Sequence, residues 1–185
     1  MDVVCKRPRS ARGLTLIELL TTTAVLGISL AVAVPGWSSF AQRNQITTTT
    51  NLMLTHLRYA RSEAVKRQTF ISLCPSDDGA SCSGNPRGWQ RGYLVFRDDN
   101  GNRSRDEDEP LLRAQGTAPS NLSLFSTPGR PAVRFRADGA AWSTNTTFSV
   151  CAGEDVSANR AVVLYGTGRA RTDRKLPGNG TITCT

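Results

Sequence analysis

Residues 14–34 form an almost unbroken apolar run of 21 positions, interrupted by a few hydroxyls, Gly27 and one acid, Glu18. As a helix rising roughly 1.5 Å per residue, the run would span about 30 Å, the thickness of a bilayer's hydrocarbon, so it predicts a membrane-spanning segment. Pro35 and Gly36 then predict a local interruption, because proline lacks a backbone donor and crowds the preceding turn. The pattern resumes beyond them, with Met53, Leu57, Ala60 and Ala64 recurring at helical spacing through residues 35–68. One long, kinked helix ending near Arg67 is expected, its second half amphipathic and laying an apolar stripe on a globular domain.

From residue 69 onward the period shortens to that of strands. Segments 69–73, 93–96, 122–125, 133–135, 147–151, 161–165 and 181–184 carry β-branched and aromatic residues between glycine, proline and asparagine punctuation. The expected class is α+β, a long amino-terminal helix packed on an antiparallel β domain over 69–185. With 185 residues the chain can hold one domain with a real core plus an appendage. There is no internal repeat, and the threonine run 47–50 reads as helix surface.

Charge gives the apolar run a direction. Lys6, Arg7, Arg9 and Arg12 precede it with no comparable basic cluster just after, so residues 1–13 are expected to stay cytoplasmic while the rest is exported. Cysteine usage agrees: Cys5 precedes the run, whereas Cys74, Cys82, Cys151 and Cys184 form an even set beyond it, as for two disulfides made outside the cytoplasm. No C-x-x-C pair occurs and the single histidine, His56, is remote from the cysteines, so no metal site is expected. The formal charge is +8, of which residues 1–13 hold +3. The mildly basic remainder suits a polyanion or an acidic membrane, but such a balance is also common on proteins that bind neither.

An ordinary secretory signal would also explain an apolar run, with Ala31, Val32 and Ala33 as a small-residue cleavage site. Glu18 argues against it. A carboxylate in hydrocarbon costs about 3 kcal/mol, and a mere export signal gains nothing from one. Cleavage after Gly13 would place the new amine of Leu14 four residues from Glu18, one helical turn away, where opposite charges meet.

Residues 12–20, R-G-L-T-L-I-E-L-L, resemble the prepilin-peptidase signal of type IV pilins and pseudopilins. The resemblance implies cleavage after Gly13, N-methylation of Leu14 where phenylalanine is usual, and pairing of Glu18 with an amino terminus inside a growing filament. Further stretches resemble the GspH/FimT family of minor pilins and pseudopilins: R-Y-A-R-S-E-A-V-K-R (58–67), L-C-P-S-D-D-G-A-S-C (73–82), G-Y-L-V-F-R-D-D-N-G-N (92–102), E-P-L-L-R (109–113) and Y-G-T-G-R-A-R (165–171). What this implies is a pilin-like fold with leader 1–13, a transmembrane and filament-core helix over 14–34, and no enzymatic activity or cofactor. It also implies a single pass through a bacterial inner membrane with the carboxyl-terminal domain in the periplasm, then incorporation into a pilus or pseudopilus. The partners implied are prepilin peptidase, other pilins or pseudopilins and the inner membrane. Of the three possible cysteine pairings, the simplest joins Cys74 to Cys82 and Cys151 to Cys184.

Three constellations invite chemistry. Asp98, Asn100, Asn102, Asp106 and Glu109 fall on a calcium-loop template, but Arg103 stands where its sharp turn needs glycine and Arg105 adds positive charge, which favours a polar hairpin connection. His56 has no identifiable nucleophile partner, and it reads as helix surface, as do Arg58, Arg61, Lys66 and Arg67. The third is a glycine-flanked loop, 166–180, expected between two strands and carrying Arg169, Arg171, Arg174 and Lys175 against Asp173 alone. Extended backbone would aim Arg169 and Arg171 the same way, and guanidinium groups suit phosphate oxygens. The bland alternative is a basic turn that keeps an edge soluble. In FimT-type minor pilins of naturally transformable bacteria a G-R-x-R motif near the carboxyl terminus is associated with DNA binding, and Gly168, Arg169, Ala170 and Arg171 match it. Two readings follow: a minor pilin that binds DNA in natural transformation, or a GspH-like pseudopilin of type II secretion that binds other pseudopilins or a secreted protein.

Overall fold

The computed structural model describes residue 13, residues 15–152, residues 156–182 and residue 184. Two compact units divide the chain, Met1–Ala41 and Gln42–Thr185. Helix α1, Leu16–Arg67, belongs to both. Contrary to the expected interruption, the helix continues through Pro35 and Gly36, since one proline removes a single ladder bond and leaves the flanking turns to carry the helix.

In the first unit Thr15 Oγ1 accepts the Glu18 N–H at 3.3 Å and so caps the start of α1. The hydroxyls of Thr21, Thr22, Thr23 and Ser29 donate to carbonyls one turn back, which satisfies them within the helix. Leu16, Ile17, Leu19, Leu20, Val25, Leu26, Ile28 and Leu30 are all exposed, an apolar surface with no cover in the single chain. Among the described residues no helix is long and apolar enough to cross a membrane. The expected span 14–34 is not described whole: Leu14 and the side chains of 32–34 lie outside the described residues.

In the second unit α1 buries Ile46, Met53, Leu57, Ala60 and Ala64, the stripe its periodicity predicts. The helix stops where Gln68 turns left-handed, with φ of 53°, and the Thr69 N–H reaches back to the Ala64 carbonyl at 3.3 Å. Eight strands follow: β1 Ile71–Pro75, β2 Tyr93–Arg97, β3 Leu111–Gln115, β4 Leu122–Ser126, β5 Val133–Phe135, β6 Thr146–Ala152, β7 Arg160–Leu164 and β8 Ala170–Asp173. They form two antiparallel sheets, ordered β3-β2-β1-β5 and β4-β6-β7-β8. One core is shared by the helix stripe, Leu73 and Val95 of the first sheet, and Leu124, Phe148, Val162 and Leu164 of the second. Trp89 sits within it, its indole N–H donating to Ser126 Oγ at 3.1 Å and its ring edge-on to Phe148. No buried apolar residue of the described chain precedes Ile46, so 42–185 contains its own core.

Two strands, β3 and β8, are absent from the sequence expectation. Both are edge strands with largely exposed side chains, LLRAQ and ARTD, and lack the period-two apolar signal. The expected strand 181–184 is not formed among its described residues. Ile182 is buried instead by a side-chain bond, Asn159 Nδ2 to its carbonyl at 3.0 Å, and by the tie from Cys184 to Cys151. The second disulfide joins Cys74 to Cys82, with Cα atoms 5.6 Å apart. Thr50 departs from the surface reading of 47–50: it is buried, its hydroxyl donating to the Ile46 carbonyl at 2.7 Å.

Candidate functional site

Of the amino-terminal residues singled out by sequence, Gly13 is exposed, Glu18 is exposed in the first turn of α1, and Leu14 lies outside the described residues.

The basic segment is not the open loop expected over 166–180. Residues 170–173 form β8, paired with β7 so that Val163 faces Arg171 and Leu164 faces Ala170. A tight turn joins them: Gly168 N–H donates to the Tyr165 carbonyl at 2.8 Å, and Tyr165 N–H to the Arg169 carbonyl at 3.0 Å. Gly168 supplies the left-handed residue this turn needs, with φ of 77°. Its surroundings admit no other residue, since a Cβ there would lie 1.8 Å from the Gly139 carbonyl oxygen. Ala141 N–H bonds the Gly166 carbonyl at 2.8 Å and completes the docking of this turn on the 136–141 segment.

Side chains then alternate as a strand requires: Arg169 exposed, Ala170 buried, Arg171 exposed. The Arg171 guanidinium lies 5.6 Å from the centre of the Tyr165 ring and 3.2 Å from an Asp173 carboxylate oxygen. Asp173 also accepts the backbone N–H groups of Arg174 and Lys175, at 2.7 and 3.3 Å, so its charge is divided between turn and cation. Arg174 borders a different hollow, with Arg160, Thr172 and Asp173. There Arg160 donates to the carbonyls of Ser157, Ala158 and Asn159. Burial, then the charges of Arg174 and Arg43, hold its pKa below the ordinary value. The structure thus places Arg171 against Tyr165, leaves Arg169 exposed two residues before it, and sets Arg174 at a different hollow, with Lys175 exposed.

Arg61 corrects its reading as plain helix surface. Its Nε lies 3.1 Å from the point a Gly139 Cβ would occupy and 3.3 Å from that of Gly168, so the helix contributes a cation beside the hairpin turn. Position along α1 does not reveal this, because the neighbours are more than 70 residues away in the chain. Arg67, by contrast, pairs with Glu63 one turn back at 2.5 Å.

The 98–109 segment is the connection of the β2–β3 hairpin. Glu109 is buried and accepts the N–H groups of Asp99 and Asp106, at 2.7 and 3.1 Å. Asp98 Oδ2 accepts from Ser72 Oγ at 2.6 Å and from Arg103 N–H at 3.2 Å, while Asp106 Oδ2 accepts from Asn100 and Asn102. Most of the oxygens that a hard cation would use are therefore occupied by donors, Asp98 Oδ1 being the buried exception, and Arg103 itself takes the left-handed turn with φ of 68°. Among the described residues no group of three or more His, Cys, Asp or Glu is placed to hold a metal ion.

His56 is not helix surface. It is half-buried, with Nδ1 2.8 Å from the Tyr93 hydroxyl, and burial, then the Arg113 charge, lower its pKa. Burial also raises the Tyr93 pKa, so the contact joins a neutral phenol to a neutral ring, with its direction set by the ring tautomer. This pair holds the helix to β2.

Residues 49–168 match the family model described as Type II transport protein GspH, and residues 8–34 match the prokaryotic N-terminal methylation motif. Gly13, Leu14 and Glu18 lie inside the second match, whereas the first ends at Gly168 and leaves Arg169 and Arg171 just beyond it. The pilin-like protein PilA1 of Thermus thermophilus is 30% identical over 177 residues, covering 88% of this chain and 98% of that protein. Among solved structures, the type IV minor pilin FimU of Pseudomonas aeruginosa is similar, with a TM-score of 0.57 at 23% identity over 72% of this chain and 92% of that one. The minor pseudopilin EpsH of the Vibrio cholerae type 2 secretion system gives 0.50 at 14% identity, over 69% of this chain and 95% of that one. With a helix leading into an antiparallel β domain and a methylation-motif amino terminus, the chain belongs to the GspH family of type IV minor pilins and pseudopilins.

Proposed function

We propose that this chain is a minor type IV pilin that is cut after Gly13, joins a pilus through its amino-terminal helix, and contacts DNA during uptake through Arg169 and Arg171, aided by Arg174 and Lys175. Before assembly it is an inner-membrane protein with the β domain in the periplasm. Its partners are prepilin peptidase, which cuts before Leu14 and N-methylates it, and other pilins, whose assembly brings Glu18 to an amino terminus. Support for this half of the reading is the match of 8–34 to the methylation motif and the bare apolar face of residues 16–30.

The observation that carries the DNA reading is a pair of exposed arginines two residues apart, Arg169 in the turn and Arg171 in edge strand β8, seated by a glycine that nothing larger can replace. The match to the G-R-x-R motif associated with DNA binding in FimT-type pilins points the same way. Phosphate contacts of this kind are independent of sequence and weak, with Kd on the order of micromolar or poorer at physiological salt. Duplex binding by the 42–185 unit, measured across a salt series, tests it. Four phosphate contacts give a log-log slope of roughly −3 to −4, and Arg169→Gln and Arg171→Gln each flatten it by about one. Absence of binding at low salt rejects the DNA reading. It would leave the second one, a type II secretion pseudopilin, favoured by the description of the family model that matches 49–168.

A further inference from the structure

Large apolar side chains are few on the surface of the 42–185 unit, and three of them gather at one place. Val65, Trp142 and Tyr165 are 44, 59 and 38% exposed, and Trp142 is the most exposed of all the large apolar residues described there. Trp142 lies against the hairpin turn, its ring 3.4 Å from the point a Gly166 Cβ would occupy; Tyr165 is the next residue along; and Val65 approaches Gly139, on which Gly168 packs. Three glycines, 139, 166 and 168, thus leave the backbone low and the two rings standing clear. Cations border this patch: Arg171 lies over Tyr165, Arg169 is exposed in the turn next to Gly168, and Arg61 borders Gly139 and Gly168. The acids nearby are engaged, Asp173 with Arg171 and Asp138 with Arg136 at 3.9 Å.

Cations alone would serve a phosphate backbone of either form. Exposed rings beside them add something a duplex cannot use, because its bases are stacked on one another and their faces are closed. Unpaired bases present π-faces that stack on Trp and Tyr whatever their identity, and arginine beside the rings adds cation–π attraction. We infer that Trp142 and Tyr165 form a stacking platform for unpaired bases, so that the site takes single-stranded DNA in preference to duplex. This inference rests on the DNA reading of Arg169 and Arg171, and it chooses nucleic acid over a second pilin on the charge of the surrounding arginines.

The test compares a labelled oligothymidylate with a duplex of equal length on the 42–185 unit, which holds its own core. Single strands are expected to bind at least about fivefold more tightly, and Trp142→Ala to weaken them by about five- to a hundredfold while leaving duplex affinity unchanged, whereas Trp142→Phe retains most of the affinity. Quenching of tryptophan emission on binding gives a direct signature, since Trp89 is buried and only Trp142 can report. A circular dichroism melt of each variant confirms folding. Equal affinity for the two forms, or an equal loss for both in Trp142→Ala, overturns the stacking platform and leaves the arginine reading standing. Binding of neither form removes both; self-association lost in Trp142→Ala would then make the patch a contact between copies.

Discussion

Gly168 shows how little of a site's geometry a motif letter conveys. In the sequence it heads an arginine motif, but in the structure it is a packing residue, left-handed and pressed on the Gly139 carbonyl. Gly168→Ala would add both a steric overlap with backbone and an unfavourable φ, so we expect a loss of about 2–3 kcal/mol in urea unfolding and a fall in DNA affinity through misplacement of Arg169. Unchanged stability would show that the turn relaxes freely. His56 makes the complementary point. Its pKa in the folded chain lies below the ordinary 6.5, so the unfolded chain takes up the proton first on acidification. Stability is accordingly full above about pH 6.5 and declines as the pH falls from there toward the lowered folded value. Urea midpoints measured between about pH 7.5 and pH 5 should show this decline, and His56→Gln should remove that part of it. The periodicity of α1 could not assign His56 a partner, because Tyr93 is 37 residues away and only the packing of β2 on the helix brings them together.

At the scale of elements, the legible parts of this fold are those with two buried faces or a strong stripe. Strand β1 is buried at every position, and the Ile46, Met53, Leu57, Ala60, Ala64 stripe has the helical period throughout. What the sequence hides are the edges. β3 and β8 are amphiphilic in no simple way, because one side of each faces solvent and the hydrogen-bonding partner, not the side chains, makes them strands. The basic hairpin was therefore visible as a charge cluster and invisible as a strand, and the cation from Arg61 was hidden altogether. The carboxyl-terminal tail reads as a strand from residues 181–184 but depends on side-chain ties. Closing the 33-residue separation from Cys151 to Cys184 restrains the unfolded chain by about 3–4 kcal/mol. The double variant Cys151→Ala, Cys184→Ala should lose stability of that order and release the tail to protease, while removal of the Cys74–Cys82 bridge, with a separation of 8, should cost less. Equal losses in thermal melts would contradict the chain-restraint explanation.

For the whole molecule, two kinds of surface sit at opposite ends of the sequence: a bare apolar helix face with Glu18 in its first turn, and a basic, ring-bearing hairpin near the carboxyl terminus. Family membership is carried by the matches to 8–34 and 49–168 together, neither of which reaches Arg169 or Arg171. On the proposed function, filament assembly and DNA contact use different parts of the chain, so variants of Arg169 or Arg171 should leave assembly intact. By the same proposal, cleavage supplies a positive terminus one turn from Glu18 and so offsets its cost in an apolar run. Mass spectrometry of the mature amino terminus, on subunit recovered from the native membrane or filament, tests that claim most directly. A chain beginning at Leu14 and carrying one added methyl group is the predicted result; a chain beginning at Pro35, as an ordinary secretory signal would leave, would contradict it.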